Sequence, residues 1–396
     1  MTDYGEQTRA VHTPHPKVPE QRPFGLPVYR TAVFGFDTAQ EYADVLGGVT
    51  PGYVYSRIDN PTVDAFAAGV AAFEGRGVDG EVVGQAFASG MAAISTVLLT
   101  FLGSGAHVVA SRELYGGTYS LLQHVLPRYG VEVSLVDVAD LSAVRNAMRP
   151  QTALIWAETM ANPTLTVADL PSLAAVAHGA GALLCVDSTF ASPIVCRPLE
   201  HGVDIVVHSA TKYFGGHSDA TGGVALGSPA LMARVRALRI DLGGSLSPDE
   251  AFLLHRGLAT LPLRVSRANH TAMAVASALQ GNAALERVQY PGLPAHRDHA
   301  LATKLFDSGR YGSIVTVDVG GGRAAGLAFC DRLALAQNAT SLAGTHTVVS
   351  HVASTTHRQL GDEALAAGGL SAGSVRISIG LEDADDLIAD LTQALG

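Results

Sequence analysis

The sequence predicts an α/β fold, a large doubly wound and mostly parallel sheet domain followed by a smaller C-terminal α+β domain. Three observations carry this reading. Between about residues 61 and 255, helical stretches such as NPTVDAFAAGVAAFEG and DLPSLAAVAHGAG alternate with short apolar runs: AHVVAS, VEVSLVD, TALIWAE, ALLCVDS, DIVVHSA and GGVALG. Runs of that length, nearly continuous in apolar residues, are what strands buried on both faces of a parallel sheet look like. After the linker-like GGSLSPDE, a long helical pattern (RVSRANHTAMAVASALQ) is followed by strand-like SIVTVDV and SVRISIG and by DADDLIADLTQAL, the mixture expected of a smaller α+β unit.

Residues 1–60 are rich in proline, glycine and turn formers (PHPKVPEQRPFGLP) and lack a long amphipathic period. They read as an extended arm that lies on a neighbouring subunit. Residues 61–255 then form the large domain and residues 256–396 the C-terminal one.

Composition narrows the function. A chain of 396 residues with 47% hydrophobic content buries a sizeable core without a metal or disulfide staple. A net charge of -10, with no cluster of Lys and Arg, argues against nucleic acid or an anionic membrane surface and leaves small molecules as the expected partners. The N-terminus has no basic segment followed by an apolar one, and no uncharged apolar run reaches bilayer length. The cysteines, Cys185, Cys196 and Cys330, are too few and scattered for a disulfide framework or zinc site. The expectation is a soluble, cytoplasmic protein with no metal.

Of 26 basic residues only Lys17, Lys212 and Lys304 are lysines. A general arginine bias accounts for that, yet chemistry that needs a deprotonatable amine would retain lysine, because arginine stays charged. Lys212 stands out by position. In open α/β sheets ligands sit at the carboxyl ends of strands. ALLCVD ends in Asp187, and DIVVHSATK ends in Ser209, Thr211 and Lys212. Asp187 alone reads more readily as a helix or turn cap. Together with the lysine it fits pyridoxal 5'-phosphate (PLP), which needs an amine for its Schiff base and a carboxylate facing the pyridine nitrogen. Ser209 and Thr211 offer hydroxyls to the phosphate. In FASGMAAISTVLL, the N–H groups of Gly90 and Met91 open a helix and make an anion site, a weak signal by itself. Tyr115, in RELYGGT, is placed to stack on a flat ligand, although an ordinary loop tyrosine looks the same.

These residues, taken in order, resemble a known family. Tyr55-Ser56-Arg57, Asn60-Pro61-Thr62, Ser89-Gly90-Met91, Tyr115-Gly116-Gly117-Thr118, Asn162-Pro163, Asp187 and His208-Ser209-Ala210-Thr211-Lys212-Tyr213 resemble the Cys/Met-metabolism PLP enzymes of fold type I. That group has the aspartate-aminotransferase-like architecture and includes cystathionine γ-synthase and γ-lyase, methionine γ-lyase and the O-acylhomoserine sulfhydrylases. The likeness runs from TRAVH near the start to VRISIGLED near the end. It implies that Lys212 forms the Schiff base and shuttles protons, Asp187 holds the pyridinium, and Tyr115 stacks on the ring and assists the leaving group. Ser209, Thr211, Gly90 and Met91 would bind phosphate in one subunit, with Tyr55 and Arg57 reaching in from its partner. Arg376, otherwise an ordinary strand-end cation, would clamp the substrate carboxylate with help from Ser341 and from Asn162, which would also contact the cofactor, and Tyr55 would also border the substrate. Sites shared in this way imply a homo-oligomer, a tetramer built from dimers.

The chain departs from the family pattern at Ser188, where Asn is customary, at His346, where many members carry Glu, and at Val352, which replaces a common Pro. His346 reads equally as a residue of the substrate mouth or as a structural histidine. Gly216-His217-Ser218-Asp219 resembles lyases and cystathionine-forming members. Ser354-Thr355-Thr356-His357 followed by Gln359-Leu360 resembles sulfhydrylases, and Leu246-Ser247-Pro248 resembles methionine γ-lyase and sulfhydrylases. Gly117 stands where typical methionine γ-lyases place a reactive Cys. The balance favours γ-elimination by a carbon–sulfur lyase acting on a sulfur-containing amino acid, methionine or cystathionine, giving 2-oxobutanoate, ammonia and a thiol. The alternative is γ-replacement on an O-acetyl- or O-succinylhomoserine, in primary or specialised metabolism. Another PLP reaction such as transamination, or an inactive module on the same fold, stands further off.

Overall fold

The computed structural model describes residues 23–307, 309–356, 358, 361–367 and 369–396. TRAVH, His357, Gln359 and Leu360 lie outside the described residues.

The seven-stranded sheet is built from β1 (Val83–Phe87), β2 (His107–Ser111), β3 (Glu132–Val136), β4 (Thr152–Glu158), β5 (Leu183–Asp187), β6 (Ile205–Ser209) and β7 (Gly223–Gly227), in the order β1-β7-β6-β5-β4-β2-β3. Strands β3, β2, β4, β5 and β6 pair in parallel, while β7 is antiparallel to both β6 and β1. The apolar runs read from the sequence are β2 to β7. β1 escaped that reading because VGQAF carries a glycine and a glutamine, and its pairing comes from β7 along its whole length.

The period of two along each strand decides what reaches the site. Leu154 and Trp156 of β4, Cys185 of β5 and Ile205 and Val207 of β6 pack on one face with Ala93, Ile94, Val97 and Leu98 of the helix Gly90–Phe101. Ile155, Ala157, Leu184, Val186 and Val206 pack into the core on the other face. Glu158, Asp187 and Ser209, which end β4, β5 and β6, therefore share the first face, at its carboxyl edge. His208 falls on the second, where its Nε2 meets Glu74 Oε1 at 2.7 Å in a fully buried pair.

The smaller sheet runs β10-β11-β12-β9-β8, from β8 (Leu285–Gln289), β9 (Ile314–Val319), β10 (Gln337–Asn338), β11 (Val348–His351) and β12 (Ser374–Ser378). The helix Leu261–Leu279 joins the two parts. Leu261 and Val265 near its start belong to the core of the large sheet, and Ala272, Val275, Ala276 and Leu279 to that of the small one.

Ahead of the sheets, residues 23–60 contain one short helix, Ala39–Leu46, capped by Thr38, whose hydroxyl accepts from Glu41 N–H. None of its residues is buried. Phe24, Tyr29, Val33, Tyr42, Leu46, Val49 and Tyr55 expose apolar surface along this segment.

Candidate active site

The helix Gly90–Phe101 points its N-terminus at the end of β6. Ser89 caps it by accepting from Ala92 N–H at 3.1 Å, which leaves the first N–H groups, including those of Gly90 and Met91, without intrahelical partners. A Cβ on Gly90 would lie 2.8 Å from Ser209 Cβ and 3.0 Å from Ser209 Oγ, so only glycine lets the helix come this close. Positive helix end, free N–H groups and a serine hydroxyl thus converge in a cradle suited to a phosphate. The neighbouring Thr211 hydroxyl accepts from Gly222 N–H at 3.0 Å and donates to Gly222 carbonyl at 3.3 Å, so in this structure it serves the loop.

Asp187 is buried at the end of β5. Thr189 donates to its Oδ1 twice, from N–H at 2.9 Å and from Oγ1 at 2.5 Å, and Thr189 Oγ1 accepts from Ser209 N–H at 2.8 Å. Thr189 therefore ties the acid to the phosphate cradle. Burial pushes the Asp187 carboxyl upward, opposed by the Thr189 bonds and by His208. A buried acid of this kind, with no cation bonded to it among the described residues, fits a protonated ring nitrogen.

Lys212 follows β6, and its Nζ donates to Ser341 Oγ at 2.6 Å. Burial, then the positive charge of Arg376, holds its amine down to about 8. Ser341 has a left-handed backbone (φ 80°), and its carbonyl accepts from Arg376 Nη2 at 2.8 Å, while Asn162 Oδ1 accepts from Arg376 Nη1 at 3.2 Å. Arg376 is 5% exposed, its Nε has no partner, and burial lowers it to about 10. Among the described residues it has no acidic partner. A carboxylate would satisfy such a guanidinium's fork and its charge together.

Tyr115 is half-exposed, with its ring over Gly117: a Cβ there would lie 2.6 Å from Tyr115 Cε1 and 2.8 Å from Met91 Sδ. Its N–H donates to Glu158 Oε1 at 2.5 Å. A cavity of about 650 Å³ beside Ser341 is lined by Thr211, Asp219, Glu250 and His346, the last exposed and bonded through Nδ1 to Thr345 Oγ1 at 3.1 Å. Ser188 is fully buried and its Oγ accepts from Thr159 Oγ1 at 2.9 Å. Val352 is also buried.

Within one chain the contacts join Lys212, Ser341, Arg376 and Asn162, and separately Gly90, Ser209 and Asp187. Tyr55 and Arg57 stand outside both groups. Arg57 Nη1 donates to the Ile240 carbonyl at 2.6 Å and lies over the Tyr55 ring, both on the exposed segment before residue 60.

Sequence reasoning missed three residues. Glu158 closes TALIWAE at a strand's carboxyl end, the same signal that identified Asp187. Thr189 sits two residues beyond Asp187, the spacing of a side-chain turn. Arg264 gave no signal. It is buried in the helix Leu261–Leu279 and donates to the carbonyls of Tyr213 and Gly257, each at 2.8 Å, fixing the loop after Lys212.

The donors present fit PLP, and comparison with known proteins agrees. Residues 7–396 match the model of the Cys/Met metabolism PLP-dependent enzyme family. The L-methionine gamma-lyase of Pseudomonas putida is 42% identical over 395 residues, covering 99% of this chain and 97% of that protein. The O-succinylhomoserine sulfhydrylase of Pseudomonas aeruginosa is 38% identical over 388 residues, covering 98% and 94%. Among solved structures, one described as an O-acetylhomoserine (thiol)-lyase from Campylobacter jejuni, with N'-pyridoxyl-lysine-5'-monophosphate, superposes with a TM-score of 0.90 at 31% identity, covering 99% of this chain and all of that one. The chain is thus an enzyme of PLP fold type I that uses pyridoxal 5'-phosphate, and it belongs to the Cys/Met metabolism PLP-dependent enzyme family.

Proposed function

We propose that this enzyme catalyses γ-elimination on a sulfur-containing L-amino acid, releasing a thiol, ammonia and 2-oxobutanoate, with methionine as the first substrate to test. The observation that carries the substrate class is the buried Arg376 fork, linked through Ser341 to the lysine amine. It supports an α-amino acid presented by its carboxylate, and the identity with a methionine γ-lyase supports the reaction.

When bound, the cofactor supplies an electron sink conjugated with the substrate's α-carbon. Lys212 would anchor the cofactor covalently and, once the substrate's own amine has displaced it, would be the free amine that takes the proton from Cα and moves protons at Cβ and Cγ. Asp187 keeps the ring nitrogen protonated. Ser209, Gly90 and Met91 hold the phosphate, joined by Thr211 if its hydroxyl leaves Gly222. Arg376 and Asn162 orient the carboxylate so that the Cα–H faces Lys212, with Ser341 holding the amine and guanidinium in register. Tyr115 covers the ring and carries the proton to the departing sulfur.

Tyr55 and Arg57 belong, in this reading, to the neighbouring subunit's phosphate and substrate site, and residues 23–60, the described part of the 1–60 arm, carry them across. The exposed apolar residues between Phe24 and Tyr55 support a second copy as their cover. Residues 61–255 act as the cofactor-binding domain and 256–396 as the C-terminal domain, in a tetramer built from dimers working in the cytoplasm. A γ-replacement reading is favoured by the sulfhydrylase likeness.

The deciding assay incubates holoenzyme with methionine, cystathionine, O-acetylhomoserine or O-succinylhomoserine, each with and without sulfide or cysteine, and follows 2-oxobutanoate and new thioethers. Oxobutanoate from methionine or cystathionine without added nucleophile is expected. Products only from an acylhomoserine plus a thiol would overturn the lyase reading in favour of replacement.

A further inference from the structure

Glu158 is a fully committed carboxyl that the chemistry above does not use. It ends β4 as Asp187 ends β5, and the two are register partners in adjacent parallel strands, so their side chains leave the sheet on the same face. Glu158 is 7% exposed and has no basic partner among the described residues. Burial, and then the nearby Asp187, push its carboxyl well above the ordinary range, so keeping it here costs stability unless it does something specific.

It touches the loop bearing Tyr115, and the carboxyl also accepts from the main-chain N–H of Asn162. The Tyr115 N–H bonds to Oε1 at 2.5 Å, and this residue has an extended backbone (φ -51°, ψ 133°) just before the short helix Gly116–Ser120. That helix has no side-chain cap at Tyr115, so Glu158 supplies an acceptor from the end of the strand next to β2. The ring is then confined from below, because it lies against Gly117 where a Cβ would meet it at 2.6 Å. We infer that Glu158 is a positioning residue, which pins the Tyr115 main chain to the carboxyl edge of β4 and so sets where the Tyr115 ring would lie over a bound cofactor.

The inference rests on the reading of Tyr115 as the residue that covers the cofactor ring, and its test does not depend on which substrate is turned over. Three readouts are used: the PLP dissociation constant, the visible circular dichroism of purified holoenzyme, and the thermal midpoint of the chain freed of PLP, which reports folding. Glu158→Gln keeps a carbonyl acceptor for the Tyr115 N–H and should leave affinity and dichroism near those of the parent. Glu158→Ala orphans that N–H and should weaken PLP binding by about 5- to 100-fold and reduce the dichroism. In a Tyr115→Ala background the same Glu158→Ala change should add less than about 2-fold, since the coupled ring is gone. If Glu158→Ala does not fold, Glu158→Asp, one methylene too short to reach, replaces it with the same expectations.

The inference is overturned if Glu158→Ala or its replacement binds PLP with parental affinity and dichroism, if Glu158→Gln loses as much as Glu158→Ala, or if the full loss persists without the Tyr115 ring. A Tyr115→Ala enzyme with parental affinity and dichroism overturns it as well. Silence toward every γ-substituted substrate, with these optical results obtained, would sink only the γ-elimination reading.

Discussion

Lys212 Nζ donates to Ser341 Oγ at 2.6 Å, and the Ser341 carbonyl accepts from Arg376 Nη2 at 2.8 Å, so one residue in a left-handed conformation holds the reactive amine and the buried guanidinium at once. The arrangement links the loop after β6 to the small sheet. It also places a positive charge where it opposes a second one: burial first, and then Arg376, bring the lysine down to about 8.

A pH dependence follows from that value. An amine is nucleophilic when neutral, and a lysine lowered to about 8 is mostly neutral above that pH. The rate at which cofactor-free enzyme takes up PLP should therefore rise through about pH 8 and level off above it. Replacing Arg376 with Gln removes the charge but leaves the burial, so the midpoint should move upward without reaching that of a free lysine. Stopped-flow absorbance across pH measures both profiles, and coincident midpoints would show that Arg376 does not act on Lys212.

Arg376 makes a second prediction, on substrate choice. Among the described residues its bonds go only to the neutral oxygens of Asn162 and Ser341, and its Nε has no partner. A substrate carboxylate would meet an unpaired charge in a dry site. Arg376→Lys keeps the charge but loses the fork. It should lower kcat/KM for methionine by about 10- to 100-fold, the worth of a hydrogen bond between charged groups. The parent should discriminate strongly between methionine and its α-amide, and the variant should discriminate less. Unchanged discrimination would mean that the carboxylate binds elsewhere.

How far the site was legible in the sequence depended on whether a residue's role is set by its own strand or by a distant segment. Asp187 and Lys212 stand at the ends of apolar runs, and the rule that ligands gather at strand carboxyl ends singled them out as candidates. Glu158 obeys the same rule, and Asn162 follows it by four residues, yet its acceptor role is toward main-chain N–H groups, which carry no side-chain identity. Arg376 lies in the interior of β12, where nothing local distinguishes it from a strand-end cation, and its meaning came from the family resemblance alone. Arg264 was invisible because its partners are main-chain carbonyls some 50 residues earlier and 7 residues before it, which carry no side-chain identity. The fold behaved likewise. Fully buried strands announced themselves by composition, while β1, with its glycine and glutamine, and the two-residue β10 depend on their partners.

The position of Arg57 leads to a prediction about assembly. In one chain it is exposed, bonded to the Ile240 carbonyl and lying 5.7 Å from the Tyr55 ring centroid. If it serves a partner's phosphate, Arg57→Ala should raise the PLP dissociation constant, and inactive Arg57→Ala and Lys212→Ala chains should complement when refolded together. One site of each mixed dimer would then carry both an intact lysine and an intact arginine. Activity of the mixture approaching one quarter of the parent is the expected order for random pairing in dimers, about one half of dimers being mixed with one good site each. Subunit exchange verified by mass with no recovered activity would place Arg57 outside the shared site.

Gly117 separates stability from catalysis at a single position. The glycine lies in the short helix Gly116–Ser120 without a left-handed φ, so its backbone accepts alanine, whose helix propensity is better by up to about 1 kcal/mol. The obstacle is the Tyr115 ring, 2.6 Å from where the new methyl would stand, with Met91 Sδ at 2.8 Å. The ring is half-exposed and free to yield toward solvent, while Met91 can adjust its flexible side chain. Gly117→Ala should therefore leave the thermal midpoint of the cofactor-free chain unchanged or slightly raised, yet lower kcat/KM on the order of 10- to 100-fold if Tyr115 has the proposed role, because a displaced ring would no longer hold its hydroxyl at the departing sulfur. Parental kcat/KM in a fully folded variant would show that the height of the Tyr115 ring is not critical, and that the proton reaches the leaving group from another residue.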